Sequence, residues 1–218
     1  MPPANRLRFL PAKRPKGIDV GIGKLARYLF RKPTTAPTGS KRGPRVHIGC
    51  GEIDLPGWIN VDGRDFSHVH VVSNRLDLDE FSAESLTEIY LCHVLEHFGF
   101  EEVERLLAVF HSKLQPGGVL RLSVPDFSLL THIYNETGRD LEHIKYALMG
   151  GQGYEYNFHK SVFDDAHLRK LLTKAGYSNC ENWETVADFG CNIGDWSAKK
   201  IRVGARFFPV SLNLKATK

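Results

Sequence analysis

The feature that most restricts the fold is a regular alternation of short apolar runs with segments of helical periodicity, which begins near residue 45. Strands that alternate with helices predict an α/β fold built on a mostly parallel sheet. Ligands of such sheets bind beyond the carboxyl ends of the strands. The residues that follow each apolar run are therefore the first candidates for a functional site.

Strands are predicted at 45–48, 58–61, 69–73, 87–92, 119–124, 181–187 and 201–208, and helices at 101–114, 127–136, 141–149 and 164–175. The helix at 101–114 has the clearest signal, because Val103, Leu106, Leu107 and Phe110 recur at helical spacing. The sequence Gln115-Pro116-Gly117-Gly118 is expected to end it.

The charge is unevenly distributed between the two ends of the chain. Residues 1–45 contain 12 lysines and arginines and one acidic residue, which gives a net charge of +11. The remaining residues contain 17 basic and 24 acidic residues, which gives −7. We therefore expect a basic arm and linker at 1–44, with an amphipathic helix at 20–31, and a folded domain at 45–218. The arm is expected to contact an anionic membrane surface, a nucleic acid or its own acidic domain, or to remain solvated.

Composition excludes several classes of protein. No apolar run approaches the roughly 20 residues that span a bilayer, which excludes an integral membrane protein. The four cysteines, at positions 50, 92, 180 and 191, form no CxxC pair and are too few for a disulfide scaffold. The N-terminus lacks the continuous apolar segment of a secretory signal. A reduced, cytoplasmic protein is expected.

A cofactor signal follows the first predicted strand. Gly49-Cys50-Gly51 allows a ligand to approach the backbone closely, and Asp62 ends the next strand, where a carboxylate can accept ribose hydroxyls. The dinucleotide pattern places this acid about 20 residues after the glycines, whereas Asp62 is 11 residues after Gly51. The short connection leaves no room for a long helix, so a cofactor without phosphate fits better than a dinucleotide.

These residues resemble a known family. The runs HIGCGEIDLPGWINVD, EIYLCHVLEHF and LQPGGVLRLSVPDF, with the GGQ and NFH of the loop at 150–159, are similar to class I S-adenosylmethionine-dependent methyltransferases. They look most like small bacterial methyltransferase-like proteins associated with surface-polysaccharide biosynthesis. The resemblance covers residues 45–187. It implies a Rossmann-like three-layer sandwich with a seven-stranded sheet of order 3-2-1-4-5-7-6, in which the seventh strand is antiparallel.

The resemblance also implies the cofactor contacts. The glycine turn would line the methionine part of S-adenosylmethionine, Asp62 would hold the ribose, the loop after the third strand would flank the adenine, and the end of the fourth strand would lie beside the sulfonium. The residues concerned are Gly49, Cys50, Gly51, Asp62, Asn74, Arg75, Leu76, Cys92 and His93. Related sequences often have Asp where this chain has Asn74.

Methyl transfer to an oxygen requires a base, and histidine suits that role near neutral pH. His159 is the first candidate, and His93 or His97 is the second; each could instead make a structural hydrogen bond. Glu96 could orient a histidine, hold the cofactor amino group or serve as a first-turn acid. The sequence His93-Val94-Leu95-Glu96-His97 also matches the HxxEH signature of inverzincins. Because His93 directly follows a strand, a zinc-binding helix is disfavoured, and no metal is expected.

Three residues are predicted to contact the acceptor: Asp126, Tyr154 and Asn157. Asp126 could alternatively cap the following helix. Tyr154, with Tyr156 and Phe158, could stack on a sugar face or pack the loop against the domain. Asn157 could bind sugar hydroxyls.

The function expected from these features is methyl transfer to a small molecule or glycan, with a sugar hydroxyl in surface-polysaccharide biosynthesis as the favoured acceptor. The expected location is the cytoplasm, with peripheral contact at the inner membrane face. Two alternatives stay open: a non-catalytic assembly or sensing protein, and a nucleic-acid methyltransferase recruited by the arm. The acidic domain carries no RNA-binding motif, which disfavours the second.

Overall fold

The computed structural model describes residues 43–218. The predicted helix at 20–31 and the arm up to residue 42 lie outside the described residues. The main sheet contains β1 (Arg45–Ile48), β2 (Ile59–Asp62), β3 (Val71–Val72), β4 (Leu86–Cys92), β5 (Leu114–Pro125), β6 (Ser178–Asn182) and β9 (Ser211–Thr217). A separate hairpin is formed by β7 (Lys200–Val203) and β8 (Arg206–Pro209). The helices are α1 (Phe100–Lys113), α2 (Phe127–Glu136), α3 (Lys145–Met149), α4 (Asp165–Lys174) and α5 (Thr185–Phe189), with 3-10 turns at Leu95–His97 and Leu141–His143.

The strand order of the seven-stranded sheet is β3-β2-β1-β4-β5-β9-β6. β9 runs antiparallel to β5 and β6, and the pairs among β1 to β5 are parallel. This arrangement confirms the predicted α/β fold with one antiparallel strand. The carboxyl ends of β1, β2 and β4 therefore meet at one edge, where the candidate residues lie.

The last two predicted strands were placed wrongly. Residues 185–189 form α5 rather than a strand, and the strand predicted at 201–208 is the β7–β8 hairpin, which turns at Gly204 with a φ of +62°. The antiparallel strand is instead Ser211–Thr217, whose alternate residues Leu212, Leu214 and Ala216 are buried. Its period-two pattern is typical of a strand.

Two further predictions differ from the structure. The helix predicted at 141–149 is divided, because Ile144, at φ −122° and ψ −14°, interrupts the helical geometry between the 3-10 turn and α3. The Pro-Gly-Gly sequence at 116–118 lies within β5, which begins directly after α1. An irregularity in the pairing of β4 with β5 accommodates it, since Leu86 pairs with Leu114 but Glu88 pairs with Val119.

Both faces of the sheet are covered. Because side chains alternate along a strand, Ile89 and Leu91 pack into the core with α1 and α4, whereas Tyr90 faces a second cluster that contains Trp58 and Trp183. Within residues 43–218, no helix combines the length and apolar character needed to cross a bilayer.

Two phenylalanines of α1 provide a matched test of this core. Phe110 is fully buried, whereas Phe100 is 64% exposed. We expect Phe110→Ala to lower the free energy of unfolding by about 3–5 kcal/mol and Phe100→Ala to change it by less than about 0.5 kcal/mol. Urea unfolding followed by circular dichroism measures both, and equal losses would contradict the packing described.

Candidate functional site

The turn after β1 approaches the segment after β4 very closely. Gly49 and Gly51 have φ values of +64° and +58°, in the left-handed region that favours glycine. A Cβ on Gly49 would lie 2.3 Å from Cγ2 of Val94. The absence of a side chain at Gly49 therefore allows the glycine turn to contact the loop that leads to the histidines.

The Asp62 carboxylate is fixed beside the glycine turn. Its Oδ2 accepts a hydrogen bond from Gly51 N at 2.8 Å, and Oδ1 accepts from Arg64 N at 2.8 Å and from Arg64 Nε at 3.2 Å. A carboxylate has about four acceptor positions, so these bonds leave room for a ligand hydroxyl. The geometry fits the predicted ribose contact.

The two cysteines of the predicted cofactor site are neutral thiols. Burial raises the pKa of Cys50 to about 12, and the Asp62 carboxylate adds to this increase. Burial also raises the pKa of Cys92 well above its usual range. Since a thiolate is the reactive form, neither residue is suited to nucleophilic chemistry.

The predicted adenine loop lies next to Asp62. A Cβ on Gly63 would be 3.7 Å from Cβ of Asn74. Asn74, Arg75 and Leu76 line a surface cleft, together with Asp77, Phe98, Glu102 and Arg105. Leu76 is buried, whereas Asn74 and Arg75 are exposed. The predicted adenine loop therefore lines a cleft and also approaches Gly63, the residue after Asp62.

Glu96, His97 and His159 form a compact group that we name the Glu96 cluster. One potential ligand atom from each residue lies within 4.8 Å of the other two. His159 Nε2 is 3.9 Å from Glu96 Oε1, and the ring centres of His97 and His159 are 4.9 Å apart. Two of the three predicted base candidates thus meet around one carboxyl group.

His93 lies beside the Glu96 cluster. Its Nδ1 is 3.3 Å from Glu96 Oε1, but the orientation makes no hydrogen bond. Its Nε2 is hydrogen-bonded to Ser211 Oγ at 2.8 Å, and its ring centre is 5.6 Å from that of Trp196. His93 has a φ of +53°, an uncommon conformation for a residue with a side chain.

Burial determines the electrostatics of this region. It raises the pKa of Glu96 to about 8 and lowers the pKa of His93 to about 3 and that of His159 to about 4. Nearby histidines lower both imidazole pKa values further, and burial also lowers the pKa of His97. At neutral pH the imidazoles are therefore uncharged and offer nitrogen lone pairs.

The loop at 150–160 is anchored on this cluster. Lys160 N and Ser161 N both donate to the Glu96 carbonyl oxygen, at 2.8 and 3.1 Å. Asn157 also holds the loop together, because its Oδ1 accepts from Gly151 N at 3.2 Å. The amide oxygen of Asn157 therefore has a partner within its own loop, and contact of Asn157 with sugar hydroxyls stays a prediction.

Tyr154 connects this loop to the cofactor side. The Arg64 guanidinium, which contacts Asp62, also lies 5.7 Å from the centre of the Tyr154 ring. Tyr154, Tyr156 and Phe158 are 43–48% exposed, so their rings have surface available for a ligand. Asp62, the predicted ribose residue, and Tyr154, a predicted acceptor residue, are therefore brought to the same region through Arg64.

Asp126 caps α2. Its Oδ1 accepts from Ser128 N at 2.9 Å, which is the alternative role that the sequence left open. Its contact with an acceptor stays a prediction.

The comparisons with known proteins are in accord with this geometry. A family model described as a methyltransferase domain matches residues 4–182. The chain belongs to the methyltransferase domain family. Membership confirms the predicted S-adenosylmethionine-dependent methyltransferase class and its cofactor. The matched residues also include most of the basic arm. A search of curated proteins finds no match.

Solved structures support the fold. A SAM-dependent methyltransferase from Archaeoglobus fulgidus is 18% identical, with a TM-score of 0.52, and the alignment covers 90% of this chain and 92% of that one. A SAM-dependent methyltransferase from Thermotoga maritima, described as a possible histamine N-methyltransferase, is 16% identical, with a TM-score of 0.51 and coverage of 82% and 84%. At these identities the similarity concerns the fold alone.

Several residues at the site had no signal in the sequence. Arg64, Trp196 and Ser211 belong to no motif, and only the fold brings the last two beside His93. Nothing in the sequence indicated that Val94 lies against Gly49. Each depends on contacts between segments that are distant in the chain.

The close contact at Gly49 can be tested by substitution. Gly117 also has a positive φ, +77°, but a Cβ there would meet nothing within 4 Å among the described residues. Gly117→Ala should therefore cost only the backbone penalty of about 1–2 kcal/mol. Gly49→Ala should cost about 1–3 kcal/mol more, because of overpacking against Val94. Thermal and urea unfolding of both variants measure this difference, and equal losses would contradict the contact.

Proposed function

We propose that this protein transfers the methyl group of S-adenosylmethionine to a hydroxyl group of a sugar or glycan. The observation that carries the proposal is the position of the Glu96 cluster. Val94, which contacts the glycine turn of the cofactor site, is only two residues before Glu96. A group that can activate an oxygen acceptor is therefore adjacent to the site where the methyl donor would bind.

The cofactor would be held by residues from three strand ends. Gly49 and Gly51 present backbone to its methionine part, Asp62 accepts from the ribose, and the cleft at Asn74 receives the adenine. S-adenosylmethionine supplies a methyl group on a sulfonium, which is already a good leaving group. The chain therefore mainly has to align donor and acceptor.

The acceptor would be bound by the loop at 150–160. The exposed rings of Tyr154, Tyr156 and Phe158 suit the apolar face of a sugar. A small or glycan acceptor agrees with this aromatic surface better than a nucleic acid does, because the folded domain carries net negative charge.

Activation of the acceptor is assigned to the Glu96 cluster. The acceptor oxygen forms the bond to the methyl carbon, the electron pair of the broken carbon–sulfur bond stays on sulfur, and the hydroxyl proton leaves at the cluster. His159 is the first candidate to direct this step, because the loop that contains it also presents the aromatic rings. His97 and His93 are the next candidates, and Glu96 is shared by all three histidines.

The sequence resemblance supports a role in surface-polysaccharide biosynthesis. On this proposal the acceptor is a sugar intermediate handled at the cytoplasmic face of the membrane. The charge of +11 on residues 1–45 supplies the attraction to anionic lipid.

Binding and turnover should separate in variants of the cluster. We expect Glu96→Gln and His159→Gln to lower kcat by about 10²-fold or more while leaving S-adenosylmethionine affinity nearly unchanged. The matched control is His132→Gln, an exposed histidine on α2. Calorimetry with S-adenosylmethionine and a methyl-transfer screen of nucleotide sugars and lipid-linked glycans measure the two properties.

Two results of this experiment would contradict the proposal. Folded protein that binds no S-adenosylmethionine would exclude the methyl donor. Protein that binds it but methylates no acceptor in the screen would favour the non-catalytic alternative.

Membrane contact of the arm is tested with the full chain. We expect it to sediment with vesicles that contain phosphatidylglycerol but not with phosphatidylcholine vesicles, since each basic residue near an anionic surface contributes about 1 kcal/mol. Salt should weaken the binding because it screens exposed charges. Equal binding to both vesicle types, or no binding to either, would contradict this part of the proposal.

A further inference from the structure

The Glu96 cluster has the composition of a metal site as well as that of a proton acceptor. It offers one carboxylate oxygen and two imidazole nitrogens from two segments, the 3-10 turn at Leu95–His97 and the loop that contains His159. In a tetrahedral site with bonds of about 2.1 Å, ligand atoms lie about 3.4 Å apart. The observed spacing, within 4.8 Å, exceeds this value by at most about 1.4 Å, so binding requires the three side chains to close by that amount.

The carboxyl group of Glu96 is the independent observation that points to a ligand. Its side chain is 1% exposed, and neither oxygen has a hydrogen-bond partner among residues 43–218. Buried polar groups are nearly always hydrogen-bonded, and burying a carboxyl group without a partner is costly. A positive ion bound by this carboxyl group and the two imidazoles would give its oxygens the partner they lack.

The surroundings orient the two histidines as metal ligands are oriented. His97 Nδ1 is 3.2 Å from the carbonyl oxygen of Phe158, and a carbonyl only accepts, so Nδ1 carries the proton. The ring nitrogen of His159 that faces Glu96 is Nε2, 3.9 Å from Oε1. Metal-binding histidines typically donate one ring N–H to a carbonyl or carboxylate and bind the metal through the other nitrogen.

We propose that Glu96, His97 and His159 bind a divalent first-row transition-metal ion that holds the acceptor hydroxyl for methyl transfer. Two imidazoles and one carboxylate suit zinc, manganese, cobalt and iron rather than calcium or magnesium. Three protein ligands leave a further position open, as in catalytic zinc sites.

The proposed ion deepens the function proposed above and rests on it. A hydroxyl in the open position becomes more acidic, as water does when bound to zinc, and its proton passes to solvent when the oxygen is methylated. The ring nitrogens of His97 and His159 then act as ligands, and the ion takes over the task of a free base. This site differs from the inverzincin arrangement, because His97 ends a 3-10 turn of only three residues and His93 lies before that turn, so the two histidines are not on successive turns of an α-helix.

Cobalt(II) is the probe for the site, since its visible absorption reports the ligands. Full-length protein is treated with a chelator, dialysed and titrated with cobalt chloride, and zinc binding is measured by calorimetry. We expect one tightly bound ion per chain, with affinity at least about 10-fold weaker in Glu96→Gln and His159→Gln. His132→Gln should bind like the wild type. Circular dichroism checks that each variant is folded.

Several outcomes would overturn the inference. One is folded wild-type protein that binds no cobalt, and another is equal cobalt affinity in the wild type and all variants. An intense thiolate-to-cobalt band would place the ion at a cysteine. Methyl transfer that survives chelation unchanged would exclude a metal in the reaction, while leaving the proposed function intact.

Measuring cobalt binding and methyl transfer together distinguishes the metal site from the proposed function. Cobalt binding that depends on Glu96 and His159, in a protein that methylates no acceptor, would support the metal site and contradict the proposed function. Methyl transfer that is lost on chelation and restored by zinc or manganese would support both.

Discussion

The close approach of Gly49 to Val94 is the constraint on which the site depends. With no side chain at Gly49, the turn after β1 rests directly against the loop after β4. The hydrogen bond from Gly51 N to Asp62 then joins the end of β2 to the same turn. Two parallel strands that flank β1 are thereby tied to it at their carboxyl ends, where a parallel sheet places its ligands.

Burial of the Glu96 carboxyl group costs the folded protein stability. An apolar side chain in its place would avoid burying a carboxyl group that has no hydrogen-bond partner among the described residues. The main chain at Glu96 nevertheless anchors the loop at 150–160, through Lys160 and Ser161. Nearby, His93 adopts a left-handed conformation. Uncommon backbone and an unsatisfied buried group occur together at functional sites more often than elsewhere.

The sequence was informative where the signal is local. The alternation of strands and helices predicted the sheet, and the glycine turn and Asp62 were correctly expected at the carboxyl ends of β1 and β2. Each of these signals lies within a few consecutive residues. β9 was missed although Ser211–Thr217 alternates clearly, since its place between β5 and β6 depends on pairing with distant strands. Similarly, HxxEH is visible in the sequence, but only the fold brings His159 to Glu96. The role of Asn157 within its own loop also required the three-dimensional contacts.

Burial makes the histidines poorer general bases but suits them to be metal ligands. A general base works best when its pKa is near the operating pH, whereas burial lowers the pKa of His159 to about 4. A histidine that binds a metal, by contrast, has to be uncharged, and a low pKa keeps imidazole in that form. The geometry already brings the carboxyl group of Glu96 and two such imidazoles together, with one potential ligand atom of each within 4.8 Å of the others. Burial therefore makes His159 a weak base on its own but leaves it able to act together with Glu96 and His97. For this reason activation of the acceptor is assigned to the whole cluster rather than to any single histidine.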